Sequence, residues 1–146
     1  MNILIQSATP ADRPAIRALL VEAGLPVEDL ESGHVLFWIA RNGDAIAGAI
    51  GLERSGASGL LRSLAVDAAH REHGLGTQLV DALERKSLET GIKDLFLLTQ
   101  TAELFFERRG YATVERANVP QDVRTSAEFR TLCPASAVCM TKSLSA

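Results

Sequence analysis

Leu60-Leu61-Arg62-Ser63-Leu64-Ala65-Val66-Asp67-Ala68-Ala69-His70-Arg71-Glu72-His73-Gly74-Leu75-Gly76-Thr77-Gln78-Leu79-Val80 is the stretch on which the reading of this chain turns. Residues 60–66 form a short, nearly continuous apolar run, which reads as a buried strand. Residues 67–74 are polar. Leu75, Leu79, Val80 and Leu83 then fall on one helical face, in a helix that runs to about Thr90 and is closed by Gly91. A strand that feeds a glycine-bearing loop into a helix start leaves several backbone N–H groups without partners at the positive end of the helix dipole. Such a place binds an anion. Gly74 and Gly76 allow the backbone close approach to a phosphate, while Arg71 and Thr77 add a charge and a hydroxyl. A pyrophosphate is the natural guest. The dinucleotide fingerprint fails, because Leu79 stands where its third glycine belongs, and no G-x-x-x-x-G-K-[ST] is present for a nucleoside triphosphate.

Outward from this stretch, residues 3–7 read as a strand, and Thr9-Pro10-Ala11-Asp12 reads as a helix start with a capping residue, a first-turn proline and an acidic side chain. Ile16, Leu19, Leu20 and Ala23 give an amphipathic helix that Gly24 ends before Pro26, and 27–30 can add one more turn. Residues 34–41 are rich in strand formers, Asn42-Gly43 is a tight hairpin signal, and 45–54 pairs back antiparallel. A glycine-bearing turn at 56–59 leads into 60–66 and completes a meander of strands. Downstream, 94–98 is a compact buried strand. A helix over 101–109 is expected with Leu104, Phe105 and Phe106 inward, ended by Gly110. The remainder reads as a strand over 112–119, a break at Pro120, a short helix over 126–132 opened by a Thr125-x-x-Glu128 capping box, and a last strand over 137–142. With no repeat, low-complexity tract or linker, residues 1–146 read as one α+β domain built on a mixed, mostly antiparallel sheet of six to seven strands flanked by helices.

At 146 residues, 47% apolar and 23% charged, the chain has enough core-forming side chains for one domain. Fifteen basic against eighteen acidic residues give a net charge of −3, which disfavours nucleic acid as the main partner. The longest apolar stretch, 45–52, is far short of the roughly 20 residues of a membrane helix, and the N-terminus lacks the pattern of a signal peptide. A cytoplasmic location without membrane partners is therefore expected. Cys133 and Cys139 match no common metal spacing and lack nearby histidines, so no metal site is expected and both read as reduced thiols.

Arg71-x-x-Gly74-x-Gly76 in this setting resembles the pyrophosphate loop [QR]-x-x-G-x-[GA] of the GCN5-related N-acetyltransferase (GNAT) superfamily. The early helix, the meander, Leu64-Ala65-Val66 before the loop, and Ala102-x-x-Phe105-Phe106-x-x-x-Gly110-Tyr111 after the next strand extend the resemblance over nearly the whole chain. It implies acetyl-coenzyme A held in a V-shaped opening where the sheet splays between 60–66 and 94–98. Leu64, Ala65 and Val66 would line the pantetheine arm, and the amides of Glu72, His73, Gly74, Leu75, Gly76 and Thr77 would take the pyrophosphate, with Arg71, Thr99, Phe105 and Phe106 beside them. One level down, the chain is similar to bacterial arsenic-resistance-associated N-acetyltransferases. The similarity rests on Gly51-Leu52-Glu53, 60–66, Leu97-Leu98-Thr99, and a tail that reads Thr125-x-Ala127-Glu128-Phe129-x-x-Leu132-Cys133-Pro134. This implies a small amine acceptor, including amino-acid-like toxic compounds.

The resemblance also implies roles. The Leu64 backbone N–H is the candidate oxyanion donor. Many relatives protonate the leaving thiolate with a tyrosine at the position of Phe106, which cannot donate, so Tyr111, a hydroxyl of Ser63 or Thr99, or solvent remains. Glu53 interrupts an apolar strand beside the expected cleft and is the candidate base acting through water, or else an outward carboxylate paired with Arg54. Arg62 either reaches solvent or anchors a substrate carboxylate or phosphonate; a central strand favours the pocket. Ser63, Arg116, Thr125, Glu128 and Cys133 complete the acceptor candidates. His70 and His73 read as flanks of the phosphate loop. Phe37 and Trp38 read as core or pocket wall, and their strand is available for a homodimer interface, paired subunits being frequent in the superfamily. The competing functions are a coenzyme A-binding sensor without turnover and a protein N-acetyltransferase.

Overall fold

Gly43, at a φ of 62°, turns β2 (Val35–Asn42) back into β3 (Ala45–Ser55), and Gly56, also at 62°, turns β3 into β4 (Ser58–Val66). These two turns build the expected antiparallel meander. The computed structural model describes residues 3–30, 34–71, 74–126, 129 and 136–144. The remaining elements are β1 (Ile3–Ser7), α1 (Arg13–Glu22), α2 (Leu75–Glu89), β5 (Asp94–Thr99), α3 (Glu103–Glu107), β6 (Ala112–Thr113), α4 (Gln121–Arg124) and β7 (Val138–Ser143). They form one seven-stranded sheet in the order β1-β2-β3-β4-β5-β7-β6. Every neighbouring pair is antiparallel except β4 with β5. The expected α+β architecture is thus present. Among the described residues no helix is long and apolar enough to cross a membrane.

The central strands are buried on both faces, which is why they read as continuous apolar runs rather than alternating ones. On one face Trp38, Ile50, Leu52, Leu61, Leu95 and Leu97 pack with Leu75, Leu79, Val80 and Leu83 of α2. On the other, Phe37, Ile39, Ala49 and Ala65 meet Ile16, Leu19 and Leu20 of α1. A third cluster joins Leu60 and Phe96 to Val119 and Val123 around α4. Gly48 keeps α2 close to the sheet, since a Cβ there would stand 3.0 Å from Leu79 Cδ1 and 3.2 Å from the Ala65 carbonyl. Phe37 and Trp38 are 7% and 8% exposed, on opposite faces of an interior strand. They serve the core, and the expectation that they are available for a homodimer interface is corrected.

The C-terminal third departs most from the sequence reading. β6 ends at Thr113, not near residue 119, and a 3-10 turn follows at Arg116–Asn118. An edge strand is paired on one side only, and here Val119 turns inward to the Leu60 and Phe96 cluster while Arg116 donates to the Ala137 carbonyl. α4 starts directly after Pro120, ahead of the expected 126–132, most of which lies outside the described residues. α3 is shorter than expected, and Leu104 is 66% exposed rather than inward.

Two features of β4 set up the site. Its parallel pairing with β5 covers only Ser58↔Asp94, Gly59↔Leu95 and Leu60↔Phe96, after which the strands part: β4 stays with β3, β5 with β7. The expected splay is therefore present. β4 also carries a bulge, because Gly51 pairs with Arg62 and Ala49 with Ala65, leaving Ile50 opposite both Ser63 and Leu64. Ser63 sits at a φ of 59°, the one non-glycine residue in the left-handed region among those described. A β-branched side chain is poorly accommodated there. Replacing Ser63 by valine should lower stability by roughly 2 kcal/mol in urea unfolding, while Ser63→Gly should stay within about 1 kcal/mol of the parent.

Candidate active site

Where β4 and β5 part, a cleft of about 520 Å³ opens between residues 61–64 and 97–102. Phe106 of α3 closes one end, residues 23–26 and Glu28 of the α1–β2 connection form the far wall, and Ala137 contributes from the tail. A hollow of similar volume, about 500 Å³, lies between β1 and α2. It is separated from the parting strands by β2 and β3. The cleft, by contrast, exposes the edge of β4 past Leu60, whose backbone groups have no neighbouring strand on that side.

The expected phosphate loop stands at the mouth of α2. Asp67 accepts from the Ala69 N–H and opens a 3-10 turn over Ala68–His70. Arg71 folds its Nε back to the Val66 carbonyl at 3.3 Å. Gly74 occupies the N-cap at a φ of 76° and, as a glycine, brings no side chain to cap the first-turn amides. Gln78 N–H donates to the Gly74 carbonyl, and among the described residues no backbone carbonyl accepts from the amides of Leu75, Gly76 and Thr77. Gly76 answers a different demand: a Cβ there would lie 3.3 Å from the Phe105 ring. Glu72 and His73, also expected on this loop, lie outside the described residues. His70 Nε2 is 3.0 Å from Asn42 Nδ2, which ties the loop to the β2–β3 turn.

Sequence reasoning missed Arg109. Its guanidinium lies 3.8 Å over the Phe105 ring, donates to the Phe105 carbonyl at 2.8 Å, and donates to the Thr77 hydroxyl from Nε at 3.1 Å and from Nη2. Thr77, expected as a free hydroxyl donor, thus accepts from an arginine that brings positive charge to the first turn of α2. The spacing of Phe105 and Arg109, one helical turn apart, was the available signal.

At the opposite end, Arg62 is buried, as the central position of its strand led us to expect. It does not present a free cation. Nη1 and Nη2 make a bidentate pair with Asp29 at 2.5 and 2.8 Å, Nη1 also reaches Glu53 at 3.1 Å, and Nε donates to the Ser63 hydroxyl at 3.2 Å. Glu53, the expected base, is therefore an ion-pair partner of Arg62 and is not among the cleft-lining residues. Asp29 was not singled out by the sequence. Burial works to raise its carboxyl, but the hydrogen bonds and charge of Arg62 outweigh this and hold it below its usual range. Arg13 braces the same connection by donating to the Leu30 carbonyl.

Tyr111 is corrected as a candidate acid. It is 3% exposed, lies outside the cleft lining, and its hydroxyl donates to Glu84 on α2 at 2.9 Å. Burial and then the Glu84 charge push its ionisation far above the ordinary phenol range. Glu84 also accepts from Lys142 at 2.9 Å, so this cluster pins α2 to β7. Thr99 does line the cleft, with its hydroxyl accepting from the Ala102 N–H at the start of α3. Arg116 braces the tail through Ala137, and the Thr125 hydroxyl donates to the Asp122 carbonyl at the end of α4; neither lines the cleft. Glu128 and Cys133 lie outside the described residues, while Cys139 is buried, with burial raising its thiol.

Residues 33–113 match the family described as acetyltransferase (GNAT) domain. The chain belongs to the GNAT acetyltransferase family. Over 79 residues, 54% of this chain and 48% of the relative, it is 35% identical to an uncharacterized N-acetyltransferase of Chlorobaculum tepidum. Over 138 residues, 82% of this chain and 74% of the relative, it is 27% identical to an amino-acid acetyltransferase of Mycobacterium tuberculosis. It spans about half the length of the first of these relatives. Among solved structures, N-acetylglutamate synthase from Neisseria gonorrhoeae, complexed with coenzyme A and N-acetyl-glutamate, superposes with a TM-score of 0.86 at 22% identity, covering 100% of this chain and 36% of that one.

Coenzyme A suits the residues of this GNAT domain. The open space before Gly74, the uncapped amides of the first turn of α2 and the Arg109 guanidinium match a diphosphate, and the unpaired edge of β4 matches an amide-bearing arm. The GNAT cleft is held open at its far end by the Asp29 to Arg62 pair. Because Asp29 titrates below its unfolded value, its contribution is complete above pH ~4 and is lost as the pH falls further. Asp29→Asn should cost about 2 kcal/mol at neutral pH, with the parent and variant stabilities converging below pH ~4 in acid titrations followed by circular dichroism.

Proposed function

We propose that this chain is an acetyl-coenzyme A-dependent N-acetyltransferase that acetylates the primary amine of a small molecule by direct transfer in a ternary complex. The observation that carries the reading is the parting of β4 and β5 directly beside the uncapped first turn of α2. Acetyl-coenzyme A supplies an acetyl group activated as a thioester. In the overall step the amine nitrogen forms a bond to the acetyl carbon, the carbon–sulfur bond breaks, and the proton lost by the amine balances the thiol of coenzyme A.

The amides of 74–77 with Arg71 and Arg109 hold the diphosphate, and the backbone of Leu64, Ala65 and Val66 orients the arm. Leu64 lines the cleft at the bulge, where its N–H is the candidate oxyanion donor. Phe106 faces the cleft without a proton to give, and Tyr111 is engaged with Glu84. The leaving thiolate is then protonated by solvent or through Ser63 or Thr99, and the rate rests chiefly on positioning. The similarity to arsenic-resistance-associated N-acetyltransferases and the amino-acid acetyltransferase relative both support a small acceptor of the amino-acid size class.

Incubation with acetyl-coenzyme A and an amine panel should release free thiol and yield the N-acetylated amine by mass spectrometry. Coenzyme binding without turnover on any amine would favour a sensor, and turnover on peptides alone would favour a protein acetyltransferase. Gly74→Val with Gly76→Val strains the left-handed turn and drives a side chain against Phe105, and should weaken coenzyme A binding at least tenfold in calorimetry.

A further inference from the structure

The charges at the far end of the cleft narrow the acceptor, on the reading above that the cleft acetylates a small amine. Arg62 is the cation among the described cleft-lining residues, and its side chain has no solvent exposure. Three of its nitrogens already meet Asp29, Glu53 and Ser63. The bidentate face, which would suit an acceptor carboxylate, is taken by Asp29. The side chains of Asp29 and Glu53 each keep 18% exposure, and Glu28 lines the cleft as an exposed carboxylate. Arg116 points to the Ala137 carbonyl. Glu28 is the carboxylate among the described cleft-lining residues, while behind the lining Asp29 and Glu53 meet the buried Arg62 and Asp29 also feels His34. Among the described residues an acceptor carboxylate entering here meets the Glu28 carboxylate and no accessible guanidinium, whereas an acceptor cation meets a favourable field.

We propose that the acceptor is a primary amine without a neighbouring carboxylate, of the diamine or aralkylamine class rather than the α-amino acids, and that Asp29 is the specificity-determining residue. Asp29 acts through Arg62: it occupies the guanidinium as a carboxylate of the protein's own, so none is accepted from the substrate. This distinguishes the chain from what the name of its amino-acid acetyltransferase relative suggests.

Matched pairs that differ by one carboxylate test it: tyramine with tyrosine, cadaverine with lysine, agmatine with arginine. Rates of thiol release from acetyl-coenzyme A by the full chain should give the decarboxylated member at least tenfold higher kcat/KM. Asp29→Asn should narrow that ratio at least threefold with KM for acetyl-coenzyme A unchanged, and Asp29→Glu should restore it, a pattern that loss of packing alone would not produce. Glu28→Gln, at an exposed position, should narrow the ratio in the same direction and serves if Asp29→Asn does not fold. Preference for the amino acids in the parent, or a ratio that neither variant moves, overturns the proposal while leaving the acetyltransferase reading intact. Coenzyme binding with no acetylation of either member of any pair overturns both.

Discussion

The site depends on a parallel strand pair that stops after three residues. β4 and β5 are held together from Ser58 to Leu60 and then follow different partners, so a strand edge that would ordinarily be closed opens inside the protein. Buried backbone groups left without a partner are costly, and this edge is tolerated because the opening is a cleft that water or a ligand can enter. Everything else serves that opening. α2 begins where β4 ends, which aims its uncapped first turn at the mouth, while β7 lies between β5 and β6 and keeps β5 from collapsing back.

The opposite end of the cleft is governed by Arg62. A guanidinium with no solvent exposure in the middle of a sheet is stable only when its charge and donors are met, and the partners come from three separate places: β3, β4 and the α1–β2 connection. The result is a brace as well as a charge balance. Removing a partner would release the connection that forms the cleft wall and leave a buried cation short of one.

The sequence made the architecture legible where local chemistry and tertiary context agree. The Asn42-Gly43 turn, the apolar run at 60–66 and the glycine-bearing entry to α2 each have a local cause, and each stands as expected. The C-terminal third was less legible because its side chains answer to distant partners: Val119 to Leu60, Arg116 to Ala137, Tyr111 to Glu84. The site was half legible for the same reason. Backbone features of the phosphate loop are written in Gly74 and Gly76, but the partner of Arg62 lies 33 residues away in a connection with no recognisable motif. Nothing in residues 23–30 announces that Asp29 faces a guanidinium, whereas the one-turn spacing of Phe105 and Arg109 was a local signal for their stacking.

The bulge at Ser63 has a further effect on β4. A strand presents alternate residues to opposite faces, so in an unbulged strand that kept every residue Leu61 and Ala65 would share one side. Instead Leu61, Leu64 and Val66 meet the α2 layer while Leu60 and Ala65 meet the other. The inserted residue acts as a phase shifter, exchanging odd for even halfway along the strand. Small Ala65 is thereby delivered to the α1 layer and larger Val66 to the α2 layer. Straightening the strand with all its residues kept would exchange those two, whereas deleting Ser63 would remove the bulge and leave both on their own layers.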